Sequence, residues 1–207
     1  MNFEILLGFV LATAALAISP GPDNIYVLLQ SIANGRKSGL ATVAGLITGC
    51  LVHTTLLAFG VSAIIKANDT VFFIIKLLGA LYLFYLAYQV YQNSATIDLN
   101  NSVSEKGMFQ LFKQGFIMNV LNPKVAIFFL AFFPSFLFSN SISTVIQFYT
   151  LGFLFMFVST IIFSCIAILA ASLAKYIKDN ANVGRILKWL QIYVFIAIGV
   201  YILLSDK

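Results

Sequence analysis

Ser19-Pro20-Gly21-Pro22-Asp23-Asn24 interrupts an apolar run that extends from Phe3 to about Ala33. A run of that length reads as membrane-spanning, since about 20 apolar residues cross a bilayer as a helix. In lipid an unpaired backbone group is costly, so a helix breaks only where protein or water satisfies the freed groups. Each proline removes an N–H donor and clashes with the carbonyl four residues back, here those of Leu16 and Ile18. The stretch therefore ends one half-helix on free carbonyls and opens the next on free N–H groups. A binding site is one reason to keep such a break.

The composition agrees with a membrane setting. Of 207 residues, 61% are hydrophobic and 9% charged, against ~25% charged in a soluble domain. The chain reads as an all-α integral membrane protein of about six transmembrane helices, a single transmembrane domain over residues 1–207 with no room for a soluble one. Its phenylalanines, spread through the apolar runs, fit lipid-facing helices. The start, Met1-Asn2-Phe3-Glu4, carries only an acidic charge, whereas a secretory signal needs a basic n-region; the first span is expected to stay. Cys50 and Cys165 lie inside apolar runs and read as packing residues. The net charge of +5 reads as basic cytoplasmic loops rather than as an anionic partner.

The remaining spans follow in order. Asn34 to Gly39 reads as a short polar turn and Leu40 to Ile65 as the second span, with small residues suited to close helix packing. Lys66 to Asp69 is a tight polar connection, and Val71 to about Tyr91 the third span, with Tyr82, Tyr85, Tyr88 and Tyr91 as one stripe that reaches an interface. Asn93 to Lys106 is the longest polar stretch. Met108 to Phe138 is a second interrupted segment, Asn140 to Thr144 a turn, Val145 to Leu173 the fifth span, Lys175 to Lys188 a basic loop and Ile186 to Leu204 the last span. The odd-numbered loops and their flanks carry Arg36, Lys37, Lys106, Lys113, Lys175, Lys178, Arg185 and Lys188; the other side carries Lys66, Lys76 and Lys207. The positive-inside rule then predicts cytoplasmic odd loops and both termini outside.

Residues 1–92 and 108–207 read as two three-helix repeats joined by the loop 93–107. Gly8-Phe9 leads into Pro20 and Pro22 as Gly115-Phe116 leads into Pro123, and Lys76-Leu77-Leu78-Gly79 has a counterpart in Lys188-Trp189-Leu190-Gln191. Ordinary apolar low complexity is the alternative. With an odd number of spans per half, homologous halves insert in opposite directions, and inverted repeats with broken helices are a recurring transporter architecture.

Asp23 and Lys124 are the charges nearest the two breaks. Intramembrane charges usually face a cavity or a partner, so both are expected to line one central site. The plainer reading makes them helix starts near a surface, with Asn122-Pro123 as a cap and first-turn proline. Free N–H groups near Asp23 and the Lys124 ammonium favour a carboxylate, while the carbonyls near Ser19 and the Asp23 carboxylate favour an ammonium. A zwitterion satisfies both. The candidate substrate-binding residues are Ser19, Gly21, Asp23, Asn24, Asn119, Asn122 and Lys124; the helix breaks are Pro20, Pro22 and Pro123; Asp23 is the candidate proton carrier. His53, in the second span, reads as packed and bonded to a neighbour such as Thr54 or a backbone carbonyl, with a proton relay as the alternative. No catalytic set, metal-ligand spacing, cofactor motif or nucleic-acid patch is visible.

Ser19 to Asn24, Gly35-Arg36-Lys37-Ser38-Gly39-Leu40, Gly45 with Gly49, and Asn122-Pro123-Lys124 together resemble the lysine exporter / homoserine-threonine exporter superfamily over essentially the whole chain. The resemblance implies a bacterial inner-membrane exporter of amino acids or their derivatives, driven by the proton motive force rather than ATP; it does not name the cargo. The expectation is a secondary active exporter, a proton-coupled antiporter that alternates access around two helix breaks. Its partners would be a small-molecule substrate, protons and the lipid bilayer, with no cofactor, no nucleic acid and no enzymatic activity; a homo-oligomer is compatible with the sequence. The rival readings are a cation or other small-metabolite permease on the same frame and a non-transporting membrane scaffold or enzyme subunit.

Overall fold

The computed structural model describes residues 3–61, 69–92, 106–180 and 182–205. Among these the chain forms nine α-helices and no strand. They are α1 (Phe3–Ile18), α2 (Pro22–Asn34), α3 (Arg36–Leu56, continued by a wider turn at Leu57–Val61), α4 (Asp69–Gln92), α5 (Met108–Val120), α6 (Pro123–Phe132, tightened into a 3-10 turn at Phe133–Phe136), α7 (Thr144–Ile168), α8 (Ala170–Asp179) and α9 (Asn182–Leu204). Four segments are long and apolar enough to cross a membrane alone: Arg36–Gly60, Thr70–Gln92, Thr144–Ile168 and Asn182–Leu204. Two consecutive pairs, α1 with α2 and α5 with α6, bend by 57° and 52° and raise the count to six when each pair is one crossing.

Local chemistry sets both bends. The last turn of α1 closes with Ser19 N–H on the Ala15 carbonyl at 3.1 Å. Gly21 then lies in extended backbone and Pro22 starts α2, where its missing N–H costs nothing. At the second bend the Asn122 side chain accepts from the Lys124 N–H at 3.0 Å, with Pro123 in the first turn behind it. That is a capped helix start, and α6 follows directly.

The boundaries differ from the sequence reading in three places. The polar turn expected over Asn34 to Gly39 shrinks to Gly35, whose φ of 84° is the left-handed region open to glycine; α3 starts at Arg36. The fifth span ends at Ile168 rather than Leu173. The basic loop expected from Lys175 is mostly helix: Lys175 lies on α8, and Arg185 and Lys188 on the first turns of α9, which begins at Asn182. Leu173, Ala174 and Ile177 recur on the buried or half-buried side of α8 while Ser172, Lys175 and Tyr176 are exposed, an amphipathic pattern that a count of charges reads as a loop. The connection over Lys66 to Asn68, most of the stretch from Asn93 to Lys106, and Lys207 lie outside the described residues.

Close helix contacts place the core. A side chain on Gly45 would put its Cβ 2.0 Å from the Phe112 carbonyl oxygen, and one on Gly115 would stand 2.4 Å from that of Thr42. Thus α3 and α5 run side by side with their backbones almost touching, the small-residue packing of membrane helices. Helices α4 and α9 run antiparallel: the Lys76 ammonium donates to Ser205 at one end, and the Lys188 ammonium donates to the Tyr91 carbonyl at 2.7 Å at the other. Phenylalanine is not mainly a lipid-facing residue here. Phe9, Phe128, Phe129, Phe132, Phe133, Phe148 and Phe195 are among the largest fully buried side chains. On α6 they stack in a ladder, Phe128 on Phe132 with centroids 4.4 Å apart and Phe129 on Phe133 at 4.1 Å. Such pairs add ~0.5–1.5 kcal/mol each beyond the area they bury.

Candidate functional site

The two bends meet. Asp23, in the first turn of α2, is buried, and its Oδ2 accepts from Nδ2 of Asn122 at 3.1 Å. The same Asn122 uses its Oδ1 to cap α6. One amide, held between helix starts 99 residues apart in sequence, therefore ties the breaks together. Asn24 secures the other side of the first break by donating from Nδ2 to the Ala17 carbonyl at 2.7 Å.

A small cavity of about 40 Å³ lies where the bends meet. Gly21, Asp23, Asn24, Asn119, Asn122 and Lys124 all line it. Ser19 does not line it and is fully buried in the first break. Of the break prolines, Pro22 lines the cavity, whereas Pro20 faces a separate apolar groove of about 400 Å³ that reaches Leu173 and Ile177 on α8. Asn24 touches both spaces and forms part of the wall between them.

Lys124 and Asp23 share the cavity without closing an ion pair. The Lys124 ammonium sits 4.9 Å from the centroid of the Phe195 ring, a cation–π contact, and 3.4 Å from where a Cβ on Gly21 would be. Gly21 thus leaves room for the ammonium beside the first break. Asn119 is held from both sides. Its backbone carbonyl accepts from His53 Nε2 at 3.1 Å, and its side chain presses on Gly49, where an added Cβ would stand 2.7 Å from Oδ1. His53, buried against Phe129 with ring centroids 5.5 Å apart, is a packed residue bonded to a carbonyl of the other half of the chain.

Helix α7 contributes Phe155, Ser159 and Phe163 to the cavity, and α3 contributes Cys50. None of these was legible as a site residue. Thr150 and Thr160 on α7 donate to the carbonyl four residues back, as polar residues in apolar helices commonly do. Ser159 does not, and nothing in the residues around it distinguishes it. The site lies near mid-height: Cys50 is 14 residues into the segment Arg36–Gly60 and Ser159 is 15 residues into Thr144–Ile168, ~20 Å along each axis at 1.5 Å per residue. Among the described residues no three His, Cys, Asp or Glu side chains come together as a metal site would need.

Residues 14–206 match the family model described as LysE type translocator. The chain is 31% identical over 178 residues to the homoserine/homoserine lactone efflux protein of Salmonella typhimurium, covering 86% of each chain. It is 32% identical over the same length to the protein of that name from Salmonella typhi. No solved structure matches.

Proposed function

The chain belongs to the LysE type translocator family, and from that premise we propose that it is a secondary exporter of homoserine, homoserine lactone or a similarly small amino-acid derivative across the bacterial inner membrane. The observation that carries this reading is the junction of the two breaks, where a carboxylate and an ammonium line one buried cavity. Homoserine is a zwitterion and engages both. Its lactone keeps the ammonium and has lost the carboxylate, so it depends on the Asp23 side alone.

The cavity of about 40 Å³ is far smaller than the ~300–1,000 Å³ of ligand pockets in general. Cargo therefore enters only when the breaks move apart, and the Asn122–Asp23 bond is the contact that must lengthen. Opening first toward the cytoplasm and then outward is alternating access. Residues 1–92 and 108–207 supply the two moving bodies as inverted repeats. Their packing supports this: α3 lies against α5 as α7 lies against α1, and α4 pairs with α9, its own counterpart. Asp23 carries the coupling proton in exchange for cargo, which makes the cycle an antiport. The odd-numbered loops face the cytoplasm and both termini the outside.

Everted membrane vesicles test the whole reading. With an acid interior they should accumulate labelled homoserine, and Asp23→Asn should abolish that gradient-driven uptake while the protein still inserts. Normal gradient-driven uptake in the mutant removes Asp23 from coupling. Accumulation of none of a panel of amino acids and lactones would overturn the exporter.

A further inference from the structure

Three side chains lining the cavity hold an oxygen that has no hydrogen-bond partner among the described residues: Oδ1 of Asp23, Oδ1 of Asn119 and Oγ of Ser159. All three residues are more than nine-tenths buried, at 7%, 3% and 1% exposure. Buried polar atoms are nearly always paired, so three unpaired ones around one small space require a cause. They come from three helices, α2, α5 and α7, and no sequence motif joins them. The neighbouring Cys50 thiol is a weak donor directed to the Leu46 carbonyl at 3.6 Å, and its sulfur is in reach of the Asn119 side-chain amide.

The kind of group they lack follows from their chemistry. A carboxylate oxygen and an amide oxygen only accept, and a serine hydroxyl accepts or donates. A partner that met all three would bring several N–H or O–H donors into one small space, and beside Asp23 it gains from a positive charge. A primary ammonium supplies three N–H donors in tetrahedral array. Lys124 does not serve, because its ammonium is engaged with the face of Phe195 beside Gly21. We propose that Ser159, together with Asp23 and Asn119, forms an acceptor cradle for the primary ammonium of the cargo, with Ser159 the residue that selects amines. This rests on the exporter reading for the identity of the cargo and adds the group by which cargo is recognised. Lys124 stands apart from the cradle and meets a carboxylate when the cargo has one, so a compound without a carboxylate still binds. Since the cradle draws on both halves of the chain, its occupation also holds the two halves to one ligand.

Two fragments of homoserine separate the contributions. 3-Aminopropan-1-ol keeps the ammonium and the hydroxyl without the carboxylate; 4-hydroxybutyrate keeps the carboxylate and the hydroxyl without the ammonium. Thermal unfolding of the full chain in nanodiscs should shift upward with 3-aminopropan-1-ol and clearly less with 4-hydroxybutyrate, which only Lys124 meets. Ser159→Ala should weaken binding of the amine about tenfold. The empty variant should melt at the wild-type temperature or higher, since it loses a buried hydroxyl that has no partner, a result that a purely structural Ser159 would not give. A shift of equal size with 4-hydroxybutyrate, no shift with the amine, or full amine binding by Ser159→Ala each overturns the cradle. Amine binding that depends on Ser159 without any vesicle transport would leave the cradle standing and overturn the exporter reading alone.

Discussion

Asn122 does two jobs with one side chain, capping α6 with its oxygen and holding Asp23 with its nitrogen. Losing a cap costs ~1 kcal/mol, and a hydrogen bond to a charged group is worth ~1.5–3 kcal/mol. Asn122→Ala should therefore lower stability by roughly 2–4 kcal/mol, and it leaves a buried carboxylate with no protein donor. Asn122→Ser separates the two jobs, because serine is a good cap but too short to reach Asp23; it should recover only the smaller part. Unfolding midpoints of the two variants in nanodiscs check this, and equal losses would show that the bond between the breaks adds nothing. Sequence located this residue only partly. Asn-Pro announces a helix start wherever it occurs, so the cap was legible, but the bond to Asp23 spans 99 positions and no local pattern encodes it. Ser159 lies further from view: its polar neighbour Thr160 bonds to its own helix, and only the packing of α7 shows that Ser159 does not.

At the scale of elements, prolines and glycines were readable because their effect on backbone is local, and amphipathic α8 was misread because charges drew attention away from the apolar residues between them. Glycine in an apolar run is a different case. The sequence offers many small residues, and only the fold shows which face a backbone. Gly45 faces the Phe112 carbonyl, and an added Cβ would lie 2.0 Å from it; at Gly60 and Gly107 an added Cβ meets nothing within 4 Å. Overpacking a well-packed contact costs ~1–3 kcal/mol. Because the obstacle at Gly45 is backbone, relief requires moving α3 away from α5. Gly45→Ala is thus expected to destabilise by at least ~2 kcal/mol and to disturb the cavity, since Cys50 on α3 and Asn119 on α5 both line it. Gly107→Ala should be close to neutral. Melting temperatures and homoserine uptake, measured on both variants, test the contrast; equal behaviour would mean that the α3–α5 contact yields easily.

For the whole molecule the open quantity is direction. Basic residues favour the odd-numbered loops, eight against three, and the fold adds constraints that charge counting lacks. Because Lys76 near the start of α4 reaches Ser205 after the end of α9, those two ends share a side; because Lys188 reaches Tyr91, so do the opposite ends. Helix α3 meets α7 with Thr55 near Tyr149 at 3.1 Å and with Gly39 beside Ala167, so the start of α7 shares a side with the end of α3, and the starts of α3 and α8 lie together on the other. Fixing the side of any one loop thus fixes them all. Single cysteines decide it in a Cys165→Ser background, where buried Cys50 is the cysteine that remains. Ser141→Cys, in the exposed turn before α7, should react with a membrane-impermeant maleimide added to intact spheroplasts. Lys175→Cys, on the exposed side of α8, should react only after lysis. The reverse pattern would invert the molecule, and with it the proposed direction of export; reaction of both in intact cells would mean that the chain inserts in two orientations.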